Sequence, residues 1–167
     1  EEASLLNTVI SGLAPNAVDT YAELAALAAQ VSRVIGTASS DSMVNAPSLA
    51  DLSALGVSGV TTANLAVVQQ AIASATPGQV DSLIELQSVV TAATNAYTAA
   101  LGTISSYAQS NGGTAPTTTT FAQAGVTGVD SANLAAIQSA LASTAITGTQ
   151  VDTTTEVQTL VDAYNRI

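Results

Sequence analysis

Residues 46–65 read APSLADLSALGVSGVTTANL, and residues 115–134 read APTTTTFAQAGVTGVDSANL. Both stretches open with Ala-Pro, carry Gly-Val-Ser/Thr-Gly-Val in the middle and close with Ala-Asn-Leu, at a constant offset of 69 positions (from 46 to 115). Similarity at a fixed offset of this size is typical of proteins built from repeated supersecondary units. The sequence therefore predicts a fold made of repeats.

The agreement continues downstream of each stretch. After a two-residue insertion the register resumes, so that Val80-Asp81 meets Val151-Asp152 and Glu85-x-Gln87 meets Glu156-x-Gln158. A third, partial copy lies 62 positions before the first complete one. Its matches are Pro15 with Pro77, Val18-Asp19 with Val80-Asp81, and Glu23-Leu24 with Glu85-Leu86. The chain is thus expected to begin in the middle of a repeat and to be a segment of a longer protein, since no signal peptide, lipidation motif or sorting signal is visible.

Each repeat is predicted to contain three helices, because its apolar residues recur at spacings of three and four. The short helix is expected at 49–55, ended by a left-handed Gly56, with a second copy at 119–124 that places Phe121 at the Leu52 position. The middle-helix stripe is Leu65, Val68 and Ile72, echoed by Leu134, Ile137 and Leu141 and by Leu6, Ile10 and Leu13.

The third helix is the longest, and we expect it to run from Asp81 to about Ser110, through Gly102, and to end at Asn111-Gly112-Gly113. Its apolar stripe is predicted to be Leu83, Leu86, Val90, Ala93, Tyr97, Leu101, Ile104 and Ala108, and the amino-terminal counterpart to be Tyr21, Leu24, Ala28, Val31 and Ile35. Asp19, Asp81 and Asp152 are expected to cap the long helices, and Thr61 and Asp130 the middle ones.

The predicted fold class is all-α, with tandem three-helix-bundle repeats joined by long helices in an elongated array. Residues 1–45 are predicted to be the carboxy-terminal part of a preceding repeat, with two helices. Residues 46–114 form one complete three-helix repeat, and residues 115–167 form a second, truncated one. Whether neighbouring repeats stack or behave as beads is left open by the pattern.

Composition restricts the chemistry. The chain has no His, Cys or Trp and no Lys, and its charged residues are two Arg and twelve carboxylates. Nucleophilic triads and zinc sites require imidazole, thiolate or an activated Lys. We therefore expect no enzyme, no catalytic, cofactor-binding or metal-binding residues, and no cofactor.

Net charge and hydropathy bear on partners. A net charge of -10 disfavours nucleic acid, whose binding relies on Lys and Arg. The most apolar long stretch, 83–104, is interrupted by Glu85, Gln87 and Asn95, so no membrane insertion is expected. A Cys-free, Lys-free, acidic chain favours an extracellular location at the cell surface.

Three groups of residues are candidate functional sites. Glu23, Glu85 and Glu156 recur at one position and could form a carboxylate or calcium site, although an acid in the first helical turn already interacts favourably with the helix dipole. The Gly56–Gly59 and Gly125–Gly128 loops could suggest phosphate binding, but they lack the required Lys. Tyr21, Tyr97 and Tyr164 are predicted to be buried, and Tyr107 to be the most exposed tyrosine.

The Ala-Pro, Gly-Val-Ser/Thr-Gly-Val and Asn-Leu motifs of residues 46–65 and 115–134 resemble the helical repeats of giant bacterial surface adhesins. The Val-Asp-x(3)-Glu-Leu/Val-Gln element at 80–87 and 151–158 is similar to the next helix of the same family. In helix count and size alone, the chain is also similar to the three-helix albumin-binding-like modules of bacterial surface proteins. The resemblance implies a passive array that extends a distal binding domain from the cell.

Two functions follow as predictions. The first is a non-catalytic structural spacer in a large secreted bacterial cell-surface adhesin, whose partners are the neighbouring repeats of the same chain. The alternative is a helical-bundle binding module for a host or sister surface protein. A binding module should expose an apolar patch that both repeats preserve.

Overall fold

The computed structural model describes residues 1–40 and 42–166. Eight α-helices are present in these residues: α1 (Glu2–Gly12), α2 (Tyr21–Ser40), α3 (Leu49–Ala54), α4 (Leu65–Ser74), α5 (Leu83–Gln109), α6 (Thr118–Gln123), α7 (Leu134–Leu141) and α8 (Thr154–Asn165). Short 3₁₀ turns at Pro15–Ala17, Pro77–Gln79 and Gly148–Gln150 precede α2, α5 and α8. No strand occurs in the described ranges. The all-α prediction is confirmed.

The two short helices end at left-handed glycines, as predicted. Gly56 has a φ of 85° and Gly125 a φ of 72°. The amide of Val57 donates to the Leu52 carbonyl at 3.0 Å, and the amide of Val126 donates to the Phe121 carbonyl at 2.9 Å. This six-to-one bond is the hallmark of a Schellman cap. Each short helix is thereby turned toward the helix that follows it.

The long helix α5 is continuous for 27 residues and passes through Gly102 without a break. It ends where the sequence predicts: Asn111 has a φ of 50° and the amide of Gly112 donates to the Tyr107 carbonyl at 3.0 Å. A Gly inside a helix costs about 1 kcal/mol relative to Ala, which the apolar residues of this helix outweigh.

The predicted Asp caps of the long helices are wrong by one residue. The capping side chains belong to Thr20, Ser82 and Thr153, each of which accepts from the amide of the Glu three residues later. The Glu carboxylate accepts in return from the capping residue. Because this capping box satisfies both partners, it displaces the preceding Asp from the cap position. For the middle helices, Thr61 and Asp130 do accept amides, from Asn64 and from Ala132 and Asn133.

The chain divides into two compact units, Glu1–Thr94 and Asn95–Ile167. The division falls inside α5, so it does not coincide with the repeat boundaries predicted from the sequence at 45/46 and 114/115. The reason is that α2 packs against α3 and α4 as well as α1. The repeat boundaries in the sequence stay a prediction.

The core of the first unit is aliphatic. It is contributed by all five helical segments of this unit and is made of Leu5, Val9, Leu27, Val31, Val34, Ile35, Ala38, Leu52, Leu55, Val57, Val68, Ile72, Val80, Leu86 and Val90. Burying a Leu or Val side chain stabilises the fold by about 1.5–3 kcal/mol. The first unit therefore depends on many small contributions and on no aromatic anchor.

The core of the second unit surrounds the chain's single Phe. Phe121 is fully buried at the position that corresponds to Leu52, as predicted. The remaining buried members are Ala100, Ile104, Ala108, Ala124, Val126, Ile137, Leu141, Val151, Val157 and Val161. The apolar stripe predicted for α5 contributes residues to the cores of both units and is buried or half-buried along its length.

The stripe predicted for α2 is wrong in its first half. Tyr21 is 88% exposed and Leu24 is 39% exposed, although both occupy positions whose counterparts in α5 pack inward. Burial in α2 begins at Leu27 and continues through Ala38. No described element of the first unit covers the beginning of α2, and its apolar side chains are left at the surface.

None of the helices in the described ranges combines the length and the apolar character that a membrane span requires.

Candidate functional site

Both units contain the same set of side-chain hydrogen bonds to the Gly56–Gly59 turn and its counterpart Gly125–Gly128, which we call the Gly turns. We call each set of side-chain hydrogen bonds that recurs in both units a clasp. The first clasp joins the Gly turn to the first two turns of the long helix that follows it. In the first unit, the Gln87 side chain accepts from the Ser58 amide at 2.9 Å and donates to the Ser58 carbonyl at 3.2 Å. In the second unit, Gln158 makes the same pair with Thr127, at 2.8 Å and 3.2 Å. One amide side chain thus satisfies both backbone groups of the turn residue.

A second clasp joins the Gly turn to the middle helix. The Asn64 side chain accepts from the Thr61 amide at 2.7 Å and donates to the Gly59 carbonyl at 3.0 Å. Asn133 repeats this with Asp130 at 2.8 Å and Gly128 at 2.7 Å. The carbonyls of these left-handed glycines would otherwise lack a regular helical partner.

A third clasp ties the Ala-Pro motif to the middle helix. The side-chain nitrogen of Gln69 donates to the Pro47 carbonyl at 3.0 Å, and that of Gln138 donates to the Pro116 carbonyl at 2.8 Å. The Ala-Pro motif therefore lies where the chain enters the short helix, and its Pro carbonyl is held by the middle helix. A hydrogen bond of this kind contributes about 0.5–1.5 kcal/mol.

The Gly turns use their own polar groups internally. The amides of Ser58 and Thr127, which would face a bound anion in a phosphate-binding loop, are both occupied by Gln side chains. Gly59 and Gly128 have φ values of 83° and 77°, which only glycine adopts without strain. The glycine spacing is accounted for by helix-to-helix turns.

The recurring acids Glu23, Glu85 and Glu156 are not brought together but act locally, each in its own capping box. Hydrogen bonds from the capping residues lower the pKa of all three carboxyls, through Thr20 for Glu23, Ser82 for Glu85 and Thr153 for Glu156. The pKa of Asp81 is raised, first by its hydrogen bond to Glu85 and also by the repulsion between the two acids. In residues 1–40 and 42–166, no three His, Cys, Asp or Glu form a group that could hold a metal ion.

Arg33 pairs with a buried acid in the first unit. Its guanidinium lies 2.6 Å from Asp51, whose carboxylate also accepts from the amide and hydroxyl of Ser48. Burial opposes ionisation of Asp51, but the Ser48 hydrogen bonds and the Arg33 charge outweigh it and lower the pKa. Thr120 fills the Asp51 position in the second unit and bonds Thr117 without a cationic partner.

A shallow groove of 390 Å³ adjoins this ion pair and is lined mainly by hydroxyl and amide side chains of 29–45. The Thr37 hydroxyl on its wall is buried and has no hydrogen-bond partner among the described residues. The cation of the groove, Arg33, is already engaged by Asp51. The lining residues that the structure describes therefore offer hydrogen-bonding groups and no free charge.

The tyrosines differ from their predicted placement. Tyr97 and Tyr164 are half-buried, and the Tyr97 hydroxyl accepts from Thr154 at 3.0 Å. Tyr21 was predicted buried and is the exposed one; Tyr107 was predicted exposed and packs against the second core. The error at Tyr107 arises because α5 is covered on a broader face than one stripe.

None of the exposed large apolar residues that the structure describes has an exposed large apolar residue at the matching position of another copy. Among the described residues they are Tyr21, Leu24, Met43, Val44 and Ile84. The position of Ile84 is filled by Thr155 in the next copy and by Ala22 in the previous one. A patch preserved by both repeats, the criterion for a binding module, is thus not formed at this position.

Asn64 and Gln87 stand within the recurring motifs of the sequence, and Gln69 recurs as Gln138, but the sequence alone assigns none of the three a role. The available signal is that each of them recurs as the same polar residue, namely Gln138, Asn133 and Gln158. Recurrence of a polar side chain at fixed offset indicates a hydrogen bond that the repeat needs.

Comparison of the chain with protein-family models, with curated proteins and with solved structures found no match.

Proposed function

We propose that this chain is a run of tandem three-helix repeats that acts as a non-catalytic spacer in a large, secreted bacterial cell-surface adhesin. The repeats form an elongated array, and their partners are the neighbouring repeats of the same chain. The family resemblance of the Ala-Pro and Gly-Val-Ser/Thr-Gly-Val motifs supports the assignment to adhesins.

The observation that carries the proposal is the duplication of the three clasps. Gln87 and Gln158 hold the Gly turns, and Gln69 and Gln138 hold the Ala-Pro motifs, with matching atoms and similar lengths. The recurring polar side chains are therefore used for internal construction. A spacer needs the same unit rebuilt many times, and it needs no distinctive side-chain cluster in any one unit.

The extracellular, cell-surface location is part of the same proposal. The chain has no Cys to oxidise and no Lys, and its -10 charge and hydroxyl-rich composition favour solubility outside the cell.

A helical-bundle module that binds a host or sister surface protein is the second candidate. Five large apolar residues lie at the surface in the described part of the chain and favour it, led by Tyr21 and Val44 at 88% and 87% exposure. Against it stands the change from Ile84 to Thr155 between copies. A binding surface preserved by selection on each repeat would keep its apolar residues.

Insertion of an additional copy of residues 46–114 between residues 114 and 115 tests the proposal. A spacer tolerates the insertion, gains helix in proportion to the added length, and shows a longer maximum dimension in small-angle scattering with an unchanged cross-section. The control is a variant with the same insertion in which Leu52→Asp is made in the added copy only, so that the added unit cannot form a core. Aggregation of the intact insertion, or a maximum dimension that does not grow, would contradict the spacer.

A further inference from the structure

The first two helices carry an apolar face that their own unit leaves incompletely covered. We call it the open face; its six residues are Leu6, Ile10, Val18, Tyr21, Leu24 and Ala28. Tyr21 and Leu24 are exposed, and the other four are half-buried. An apolar face that spans two helices and their connecting turn is unusual for a surface.

The same six positions are closed in the later copies. At the offset of 62, the counterparts are Val68, Ile72, Val80, Leu83, Leu86 and Val90, of which five are 0% exposed and Leu83 is half-buried. In the next copy they are Ile137, Leu141, Val151, Thr154, Val157 and Val161, of which five are at most 1% exposed and Thr154 is half-buried. The residue types thus suit burial at all three occurrences, and only the covering elements differ.

Two elements close these positions in each later copy. One is the short helix with its Gly turn, which contributes Leu52, Leu55 and Val57 in the first unit and Phe121, Ala124 and Val126 in the second. The other is the second half of the preceding long helix, represented by Ile35 and by Ile104. The chain that supplies both elements is continuous, namely 27–62 for the first unit.

The most deeply buried residues of α1 lie outside the open face. Leu5 and Val9 are 0% and 1% exposed within the first core, and the Thr8 hydroxyl accepts from the Leu83 amide at 3.0 Å. Leu5 and Val9 precede the open-face residues Leu6 and Ile10 in sequence and therefore lie on an adjacent side of the helix. Leu6, Ile10 and Val18 also pack against this core, but they remain only half-buried, so part of the open face is left for a covering element.

We propose that the open face is the docking surface for a segment of the same kind as residues 27–62, joined directly ahead of residue 1. This inference rests on the proposed repeat organisation, and it names the contact by which one repeat is closed by the repeat before it. The register is fixed by the 62-position offset: Ala63 corresponds to Glu1, so the covering segment ends at the counterpart of Thr62.

The test uses a single cysteine as a probe, since the chain has no Cys of its own. Leu24→Cys is made in the full chain and in an extended chain that carries a copy of residues 27–62 ahead of Glu1, and the rate of reaction with a thiol reagent is measured. We expect the rate to fall by about tenfold or more in the extended chain, because a fully buried side chain reacts only through local opening. Ile84→Cys, which is 83% exposed, should react fast in both chains, and Leu86→Cys slowly in both.

A second extended chain carries Leu52→Asp and Leu55→Asp in the added segment only, and it should leave Leu24→Cys reactive. Equal reactivity of Leu24→Cys in the original and the intact extended chain, whether or not the added segment folds, would overturn the inference. So would protection of Leu24→Cys in the original chain that increases with protein concentration, because it would assign the open face to a second copy. A compact scattering profile of the original chain would refute the spacer while leaving this result unchanged.

Discussion

Gly148 is a position within the second unit where one added methyl group should destabilise the fold. It lies in the 3₁₀ turn before α8 and is buried against α5. A Cβ there would lie 2.8 Å from the Ser105 carbonyl oxygen and 3.0 Å from the Gln109 Cβ. The backbone of Gly148 also accepts from the Ser105 hydroxyl and donates to the Gln109 side chain, both at 3.1 Å.

The cost of Gly148→Ala follows from these contacts. Forcing one methyl group into a packed interior costs about 1–3 kcal/mol, and the two hydrogen bonds contribute about 0.5–1.5 kcal/mol each. The lower chain entropy of Ala returns about 0.4–1 kcal/mol. We therefore expect a net loss of about 1–5.5 kcal/mol in the free energy of unfolding of the second unit.

Gly78→Ala is the matched control, since Gly78 lies in the corresponding 3₁₀ turn of the first unit and a Cβ there meets nothing within 4 Å. It should be neutral or stabilising by up to about 1 kcal/mol. Urea unfolding followed by circular dichroism, with hydrogen exchange to assign each change to a unit, measures both variants. If Gly148→Ala is as stable as Gly78→Ala, the close packing of the turn on α5 is refuted.

Three further predictions concern the clasps, the core and the capping boxes. Gln158→Ala should destabilise the second unit by about 1–2 kcal/mol. Gln70→Ala loses one long exposed hydrogen bond of 3.4 Å and should change the stability of the first unit little. Equal losses of stability for the two variants in denaturant melts would argue against the clasp. Phe121→Ala should cost about 3–5 kcal/mol because the side chain is fully buried, and a loss below that of a surface substitution would contradict the assigned core. The pKa of Glu156 is lowered in the folded chain, so its contribution is present above the unfolded pKa and is lost as pH falls through the folded one. Glu156→Gln keeps an acceptor for Thr153 and should make unfolding stability less dependent on pH below about 5, and an unchanged acid limb would oppose this.

Local chemistry determined how much of this fold could be predicted. The left-handed Gly56 and Gly125, the end of α5 at Asn111 and the equivalence of Phe121 with Leu52 all follow from residue type and spacing. The cap positions were missed because Asp and Ser or Thr stand side by side, and either can cap a helix. The Glu three residues later selects Ser82 over its neighbouring Asp.

Burial of a stripe depends on what covers it, which helical periodicity does not encode. Tyr21 and Leu83 occupy one repeat position, yet the first is exposed and the second is half-buried beside Gly12 and Gly56. The Gln87 clasp was likewise beyond prediction, because it joins residues 29 positions apart and involves only backbone atoms of Ser58 and its hydroxyl. The recurrence of Gln87 as Gln158 is visible in the sequence, but its hydrogen-bond partner Ser58 is visible only in the fold.

Small-angle scattering of the 167-residue chain tests the proposed elongated spacer most directly. A compact domain of this length has a radius of gyration of about 15 Å. The proposal predicts a value well above that, with the asymmetric distance distribution of a rod. A radius of gyration of about 15 Å with a symmetric distribution would contradict the elongated array.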